Sequence, residues 1–199
     1  MARAGLRAQS RPSEPVIDRL RGDRFTAREI YAIFSPFRLC SLAVGFDLVR
    51  PGRKVSPMQT PLTGGCVCGA VRYQCDAAPL STLKCHCRDC QRVSGGPHVC
   101  AVLLPRSAFR FTRGMPKYYC TASDSGGLHQ RGFCGDCGSR LTGGESPDTA
   151  TDFIGVTVGS LDDPSGFHPE MELWMVDALA WDPPLAGVAR FEKNPPADA

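Results

Sequence analysis

Cys66-Val67-Cys68-Gly69-Ala70-Val71-Arg72-Tyr73-Gln74-Cys75 opens the part of the chain with a legible fold. From Cys68 to Cys75 the pattern alternates, which is the period of a strand. The two leading cysteines flank one residue, so both sulfurs face the same side of an extended chain. A second pair follows much later, in Cys134-Gly135-Asp136-Cys137-Gly138, where Gly135 and Asp136 turn the chain so that the sulfurs converge. Between the pairs stands Cys85-His86-Cys87-Arg88-Asp89-Cys90, three thiols on one short loop. These clusters hold seven of the eleven cysteines.

Ligand spacing this short favours metal over disulfides. A structural zinc takes four thiolates in a closed tetrahedron, whereas a catalytic zinc keeps three protein ligands and one open position. Seven cysteines therefore imply one closed site and one open site, two zinc ions per chain. Spacing leaves the partition open. Cys66 and Cys68 can join Cys134 and Cys137, or they can join Cys85 and Cys87 and leave Cys90, Cys134 and Cys137. Cys75, Cys100 and Cys120 each stand alone in a strand-like run and read as free buried thiols.

From Gly64 onward the chain reads as mainly β, with few short helices. Strands are expected in Cys68–Cys75, Val99–Leu104, Phe109–Thr112, Lys117–Cys120, Gln130–Phe133, Ser139–Thr142 and Phe153–Val158. Gly and Pro separate them at intervals typical of a sandwich or barrel. Arg88–Val93 suits a helical turn, and Met171–Trp181 is ambiguous between helix and strand. Residues 1–57 differ. They carry ten Arg and one Lys against five acids, five prolines and a single cysteine, Cys40. One helix is plausible over Phe25–Phe34, capped by Thr26. The segment reads as an Arg-rich extension, disordered or a mis-assigned start ahead of Met58, and residues 58–199 as the zinc-binding domain. Residues 1–12 are Arg-rich and acid-free like a transit peptide, but the acids from Glu14 onward weigh against that reading.

The net charge of +3 hides a mildly acidic cysteine-bearing region. That region has no basic stripe with interleaved aromatics, which argues against nucleic acid as partner. No apolar run approaches the roughly 18 residues of a membrane span. No secretory signal is visible, so a reducing cytoplasmic setting with thiolates held by zinc is expected.

Three motifs carry a resemblance. Gly64–Tyr73, Cys85-His86-Cys87-Arg88-Asp89-Cys90-Gln91-Arg92-Val93-Ser94-Gly95 and Arg131-Gly132-Phe133-Cys134-Gly135-Asp136-Cys137-Gly138-Ser139-Arg140-Leu141 resemble, in order, the motifs of the glutathione-dependent formaldehyde-activating enzyme family, which includes centromere-protein-V-like domains. Gly159–Pro164 and Phe191-Glu192-Lys193 match near its end. The resemblance implies a β-tent of twisted antiparallel sheets stapled by zinc. It implies Cys66, Cys68, Cys134 and Cys137 as structural ligands, and Cys85, Cys87 and Cys90 as ligands of the catalytic zinc. It implies a carbon–sulfur lyase joining glutathione, or a similar small thiol, to formaldehyde or another small aldehyde. A non-catalytic zinc-stapled binding module and a thiol redox sensor are the alternatives. One position departs: Glu172, in Pro169-Glu170-Met171-Glu172-Leu173-Trp174, replaces the family's histidine. It reads either as a change at the substrate or catalytic loop, or as a surface swap.

Around the trio, His86 reads as a second support for the ligands, a proton shuttle or a packing residue. Arg88 and Arg92 read either as groups beside the open site that hold a substrate carboxylate or as solvated arginines on a surface turn. His98, His129 and His168 lack metal spacing and read as structural, Trp174 and Trp181 as core or as an aromatic wall of a pocket, and Ser94-Gly95-Gly96 as a turn.

Overall fold

The computed structural model describes residues 56–122, 127–145 and 151–196. The helix expected over 25–34, and the extension 1–57 apart from its last two residues, lie outside the described residues. Eleven strands form two sheets. The smaller holds β1 (Leu62–Gly65), β2 (Arg72–Cys75) and β5 (Phe109–Arg113), all antiparallel. The larger runs β11-β10-β3-β4-β9-β8-β7-β6. Its strands are β3 (Ser81–Cys85), β4 (Val99–Pro105), β6 (Lys117–Ala122), β7 (Leu128–Phe133), β8 (Arg140–Glu145), β9 (Phe153–Thr157), β10 (Met171–Leu173) and β11 (Ala189–Arg190). It is antiparallel except that β10 lies parallel to both β3 and β11. Among the described residues there is one α-helix, α1 (Arg88–Ser94). The mainly β expectation therefore holds.

The first strand is shorter than its alternation suggests. Cys66 to Val71 form a turn instead, closed by hydrogen bonds from Cys66 N to Val71 O and from Gly69 N to Cys66 O, both 3.0 Å. Gly69 sits at φ 74°, a conformation that costs a side-chain-bearing residue about 1–2 kcal/mol. In Met171–Trp181 only three residues pair as a strand, and Met175–Asp177 form a 3-10 turn.

The core lies where one face of β4 and β9 meets the small sheet. Val102, Leu104, Ile154 and Val156 pack with Leu62, Tyr73, Cys75 and Phe109, all buried. Tyr73 is fully buried, and burial pushes its phenol up to about 12. Its hydroxyl is paired with Ser160 Oγ at 2.7 Å, as a buried polar group requires. Gly64 passes so close to that hydroxyl and to Ser160 O that no Cβ fits.

Alternation divides the large sheet functionally. Thr82, Lys84 and Glu172 share the side on which Val102 and Leu104 are buried, while Leu83, Cys85, Val99, Ala101 and Leu173 line a cavity on the other.

Candidate metal centres and an arginine-lined cavity

Two turns build the first cluster. Cys66 and Cys68 stand on the β1–β2 turn, Cys134 and Cys137 on the β7–β8 turn. The second turn repeats the first: Gly138 N bonds Cys134 O at 3.0 Å, and Gly138 sits at φ 74°. Val67 N bonds Ser139 Oγ at 3.2 Å and ties the turns together. The four sulfurs lie within 4.8 Å of one another. Cys66 and Cys68 are 3.4 Å apart, Cys68 and Cys134 3.7 Å. A tetrahedral zinc with Zn–S near 2.3 Å requires S···S of about 3.8 Å, whereas a disulfide requires about 2 Å. The donor set fits a metal. Two thiols are already disposed to ionise: Val71 N–H holds Cys66 low, and Ser139, at 3.3 Å, pushes Cys137 down to about 6.

The second cluster sits at the junction of β3 and α1. Cys85 ends β3. Cys87 caps the helix, its sulfur accepting from Cys90 N at 3.4 Å, and Cys90 follows one turn later. Gly95, at φ 68°, closes the helix with its N–H on Gln91 O. The three sulfurs lie within 4.8 Å of one another, and among the described residues no fourth His, Cys, Asp or Glu joins them. Cys87 is lowered by hydrogen bonds from Cys85 and Cys90. Cys85 is raised by the same neighbours and by burial. The trio thus favours one thiolate by itself, and a bound dication would be needed to ionise all three.

These thiols open into a cavity of about 850 Å³. Among the described residues it is lined by four guanidiniums, Arg88, Arg92, Arg131 and Arg140, against two carboxylates, Asp89 and Asp177. Arg88 and Arg92 are both in the lining, but the Arg92 side chain is 71% exposed. His129, read from sequence as structural, is also in its wall, and so is Trp174, as the pocket-wall reading of it allows. Trp181 is no core residue: it is 69% exposed. Cys120 is likewise exposed rather than buried.

Behind the trio lies a buried charge network. His86, between two cavity-facing thiols, turns away from them and is fully buried. Its Nε2 is 3.3 Å from Glu172 Oε1. Lys84 Nζ, also buried, is 3.3 Å from both Glu172 Oε1 and Asp182 Oδ2. Asp182 accepts from His98 Nδ1 at 2.7 Å. Burial alone would raise the Glu172 carboxyl, but Leu185 N–H at 2.9 Å, His86 and Lys84 outweigh it and its pKa falls. His86, His98 and Asp182 bring three donors within 4.8 Å, yet the Lys84 ammonium already supplies the positive charge there. Glu172 is neither a surface swap nor a cavity residue. It holds the back of the cysteine loop and, through Leu185 and Arg190, the segment after β10. Partners so distant in sequence left no local signal for this role.

No helix among the described residues is long and apolar enough to cross a membrane. No curated protein matches the chain. A crystal structure of a Rhodobacter sphaeroides protein aligns at 24% identity, covering 54% of this chain and 91% of that one, with a TM-score of 0.40. A family model described as glutathione-dependent formaldehyde-activating enzyme matches residues 61–177.

Proposed function

The chain belongs to the glutathione-dependent formaldehyde-activating enzyme family, and on that premise we propose that it joins a small thiol to a small aldehyde, as in forming S-hydroxymethylglutathione. The observation that carries the reading is the set of three thiols joined by no fourth His, Cys, Asp or Glu among the described residues, opening into a cavity large enough for such a substrate. In the reaction the thiol sulfur forms a bond to the carbonyl carbon, the C=O π pair moves to oxygen, and the thiol proton ends on that oxygen. No oxidant or reductant is consumed, and the reverse step regenerates thiol and aldehyde.

Cys85, Cys87 and Cys90 would hold one zinc, and Cys66, Cys68, Cys134 and Cys137 a second that staples β1–β2 to β7–β8. Zinc at the trio supplies a Lewis-acidic position suited to a soft sulfur ligand. The protein's own contribution is positional. Gln91 Nε2 bonds His86 O at 2.7 Å and Asp177 O at 2.9 Å, so the cysteine loop and the cavity wall are held by one amide. Glu172 and Lys84 fix the loop from behind. His129 is unsuited as a base, because its Nε2 already accepts from Gly144 N at 3.1 Å. Residues 58–199 form the catalytic unit in this reading, 1–57 are an extension, and the setting is the cytoplasm.

The test is exchange between free glutathione and its formaldehyde adduct, followed by NMR exchange spectroscopy with the zinc-loaded protein. The expected result is faster exchange, lost in Cys87→Ser. Unchanged exchange, with four protein sulfurs on the second zinc, would instead favour a binding module.

A further inference from the structure

The side of the cavity formed by β10, β3 and β4 is apolar beyond what the cysteine site needs. Strand register lays its side chains out in rows. Leu173 pairs with Cys85, so the first row carries a sulfur of the trio. Two residues further along, Met171, Leu83 and Ala101 form the next row across the three strands. Leu103, opposite Ser81, extends it one row more. All six line the cavity. A strand rises about 3.3 Å per residue, so this floor runs about 13 Å from the level of Cys85 to that of Leu103. The four guanidiniums stand elsewhere, on α1, β7 and β8.

Leu83, Ala101, Leu103 and Met171 are only half-buried, although Val102 and Leu104 on the other face of β4 are fully buried. Apolar side chains left partly open in a concave site mark a ligand wall. Trp174, next to Leu173, adds an aromatic surface to the same lining. Its φ is 60°, a left-handed conformation that a β-carbon disfavours. The indole is nevertheless pinned there. Its Nε1 donates to Asn194 Oδ1 at 2.9 Å, and the Lys193 ammonium stands 5.5 Å from the ring centre.

Formaldehyde has no carbon beyond its carbonyl, and a glutathione-like thiol is polar along its length. Neither covers an apolar floor of this extent. A carbon chain on the aldehyde does. Its carbonyl carbon must meet the thiol sulfur at the trio, and the floor begins in the row of Cys85. We infer that Leu83, Ala101, Leu103 and Met171 bind the carbon chain of the aldehyde, and that the aldehyde this chain takes is an apolar one of several carbons rather than formaldehyde. This rests on the thiol–aldehyde reading above and narrows it. The chemistry is the same: sulfur joins the carbonyl carbon, the π pair moves to oxygen, the thiol proton ends on that oxygen, and the carbon chain is unchanged. Burying a methylene fully favours binding about fourfold, and covering it from one side about twofold.

The test is NMR exchange spectroscopy of glutathione with formaldehyde, butanal and hexanal in the presence of the zinc-loaded protein. Each catalysed rate is divided by the spontaneous rate of the same aldehyde, so that intrinsic reactivity cancels. The expected result is an enhancement that rises about twofold per carbon, with hexanal about thirtyfold above formaldehyde. Leu83→Thr, checked for unchanged zinc content and circular dichroism, should lower the hexanal-to-formaldehyde ratio about fivefold or more. An enhancement that is flat or falls from formaldehyde to hexanal overturns the inference without needing any variant, and leaves the thiol–aldehyde reading standing. The same flat series in protein that sediments as a dimer would assign the floor to a second copy instead. A ratio unmoved by Leu83→Thr also overturns it, because the floor would then not recognise the chain. If no aldehyde is accelerated, the thiol–aldehyde reading fails and the inference falls with it.

Discussion

Replacing Glu172 with alanine should be among the most damaging single changes outside the two cysteine clusters. The carboxylate is fully buried and serves four groups. Without it, Lys84, 4% exposed, keeps only Asp182, and the His86 Nε2 and Leu185 N–H lose their partners. Arg190 is largely exposed and recovers water, so it adds little. Removing one partner of a buried ion pair costs about 3–5 kcal/mol. Against a whole-domain stability of about 5–15 kcal/mol, that brings the protein close to unfolding. Glu172→Gln keeps an acceptor for Leu185 N–H and loses only the charge, a cost of about 1.5–3 kcal/mol. The exposed Glu192 is the control, and its alanine variant should stay within about 0.5 kcal/mol. The assay is urea unfolding at fixed free zinc, followed by tryptophan fluorescence. With a slope of about 1–3 kcal/mol/M, the Glu172→Ala midpoint should fall by about 2 M. A loss below about 1 kcal/mol would refute the idea that this network holds the cysteine loop in place.

Other substitutions probe the remaining parts. Cys134→Ser should release one zinc and unfold the domain, whereas Cys87→Ser should release one zinc and keep the β circular dichroism signal. Gly64→Ala drives a methyl against the Tyr73 hydroxyl and Ser160 O and should cost about 1–3 kcal/mol in thermal unfolding, with zinc content unchanged.

The convergence of sulfurs within each cysteine cluster was legible because its information is local, whereas the meeting of Cys66 and Cys68 with Cys134 and Cys137 was not in the spacing and was implied only by the family resemblance. C-x-C, C-x-C-x-x-C and C-x-x-C-G each hold converging sulfurs within a few residues, and turns with glycine at φ 74° do the rest. Strands β4, β5 and β9 were legible for the same reason, since their apolar patterns follow their own burial. β3 was not. Ser81-Thr82-Leu83-Lys84-Cys85 shows no apolar alternation, because buried Lys84 is matched by Glu172 and Asp182, on distant stretches of chain. His98 is structural as read, held by Asp182, whereas the place of His129 in the cavity wall escaped because its surroundings are supplied by tertiary structure. The stretch from Cys68 to Val71 alternates as a strand does, yet Gly69 at φ 74° and the hydrogen bonds from Cys66 N to Val71 O and from Gly69 N to Cys66 O turn it. Arg140 sits within a quoted motif, but its unpaired nitrogens appear only once the β7–β8 wall is folded.

The most direct measurement is zinc stoichiometry combined with X-ray absorption at the zinc edge. The expected outcome is two zinc ions per chain sharing seven cysteine sulfurs, with a light-atom shell at the site of Cys85, Cys87 and Cys90. One zinc per chain, or two zinc ions each bound by four protein sulfurs, would contradict a closed site paired with an open one.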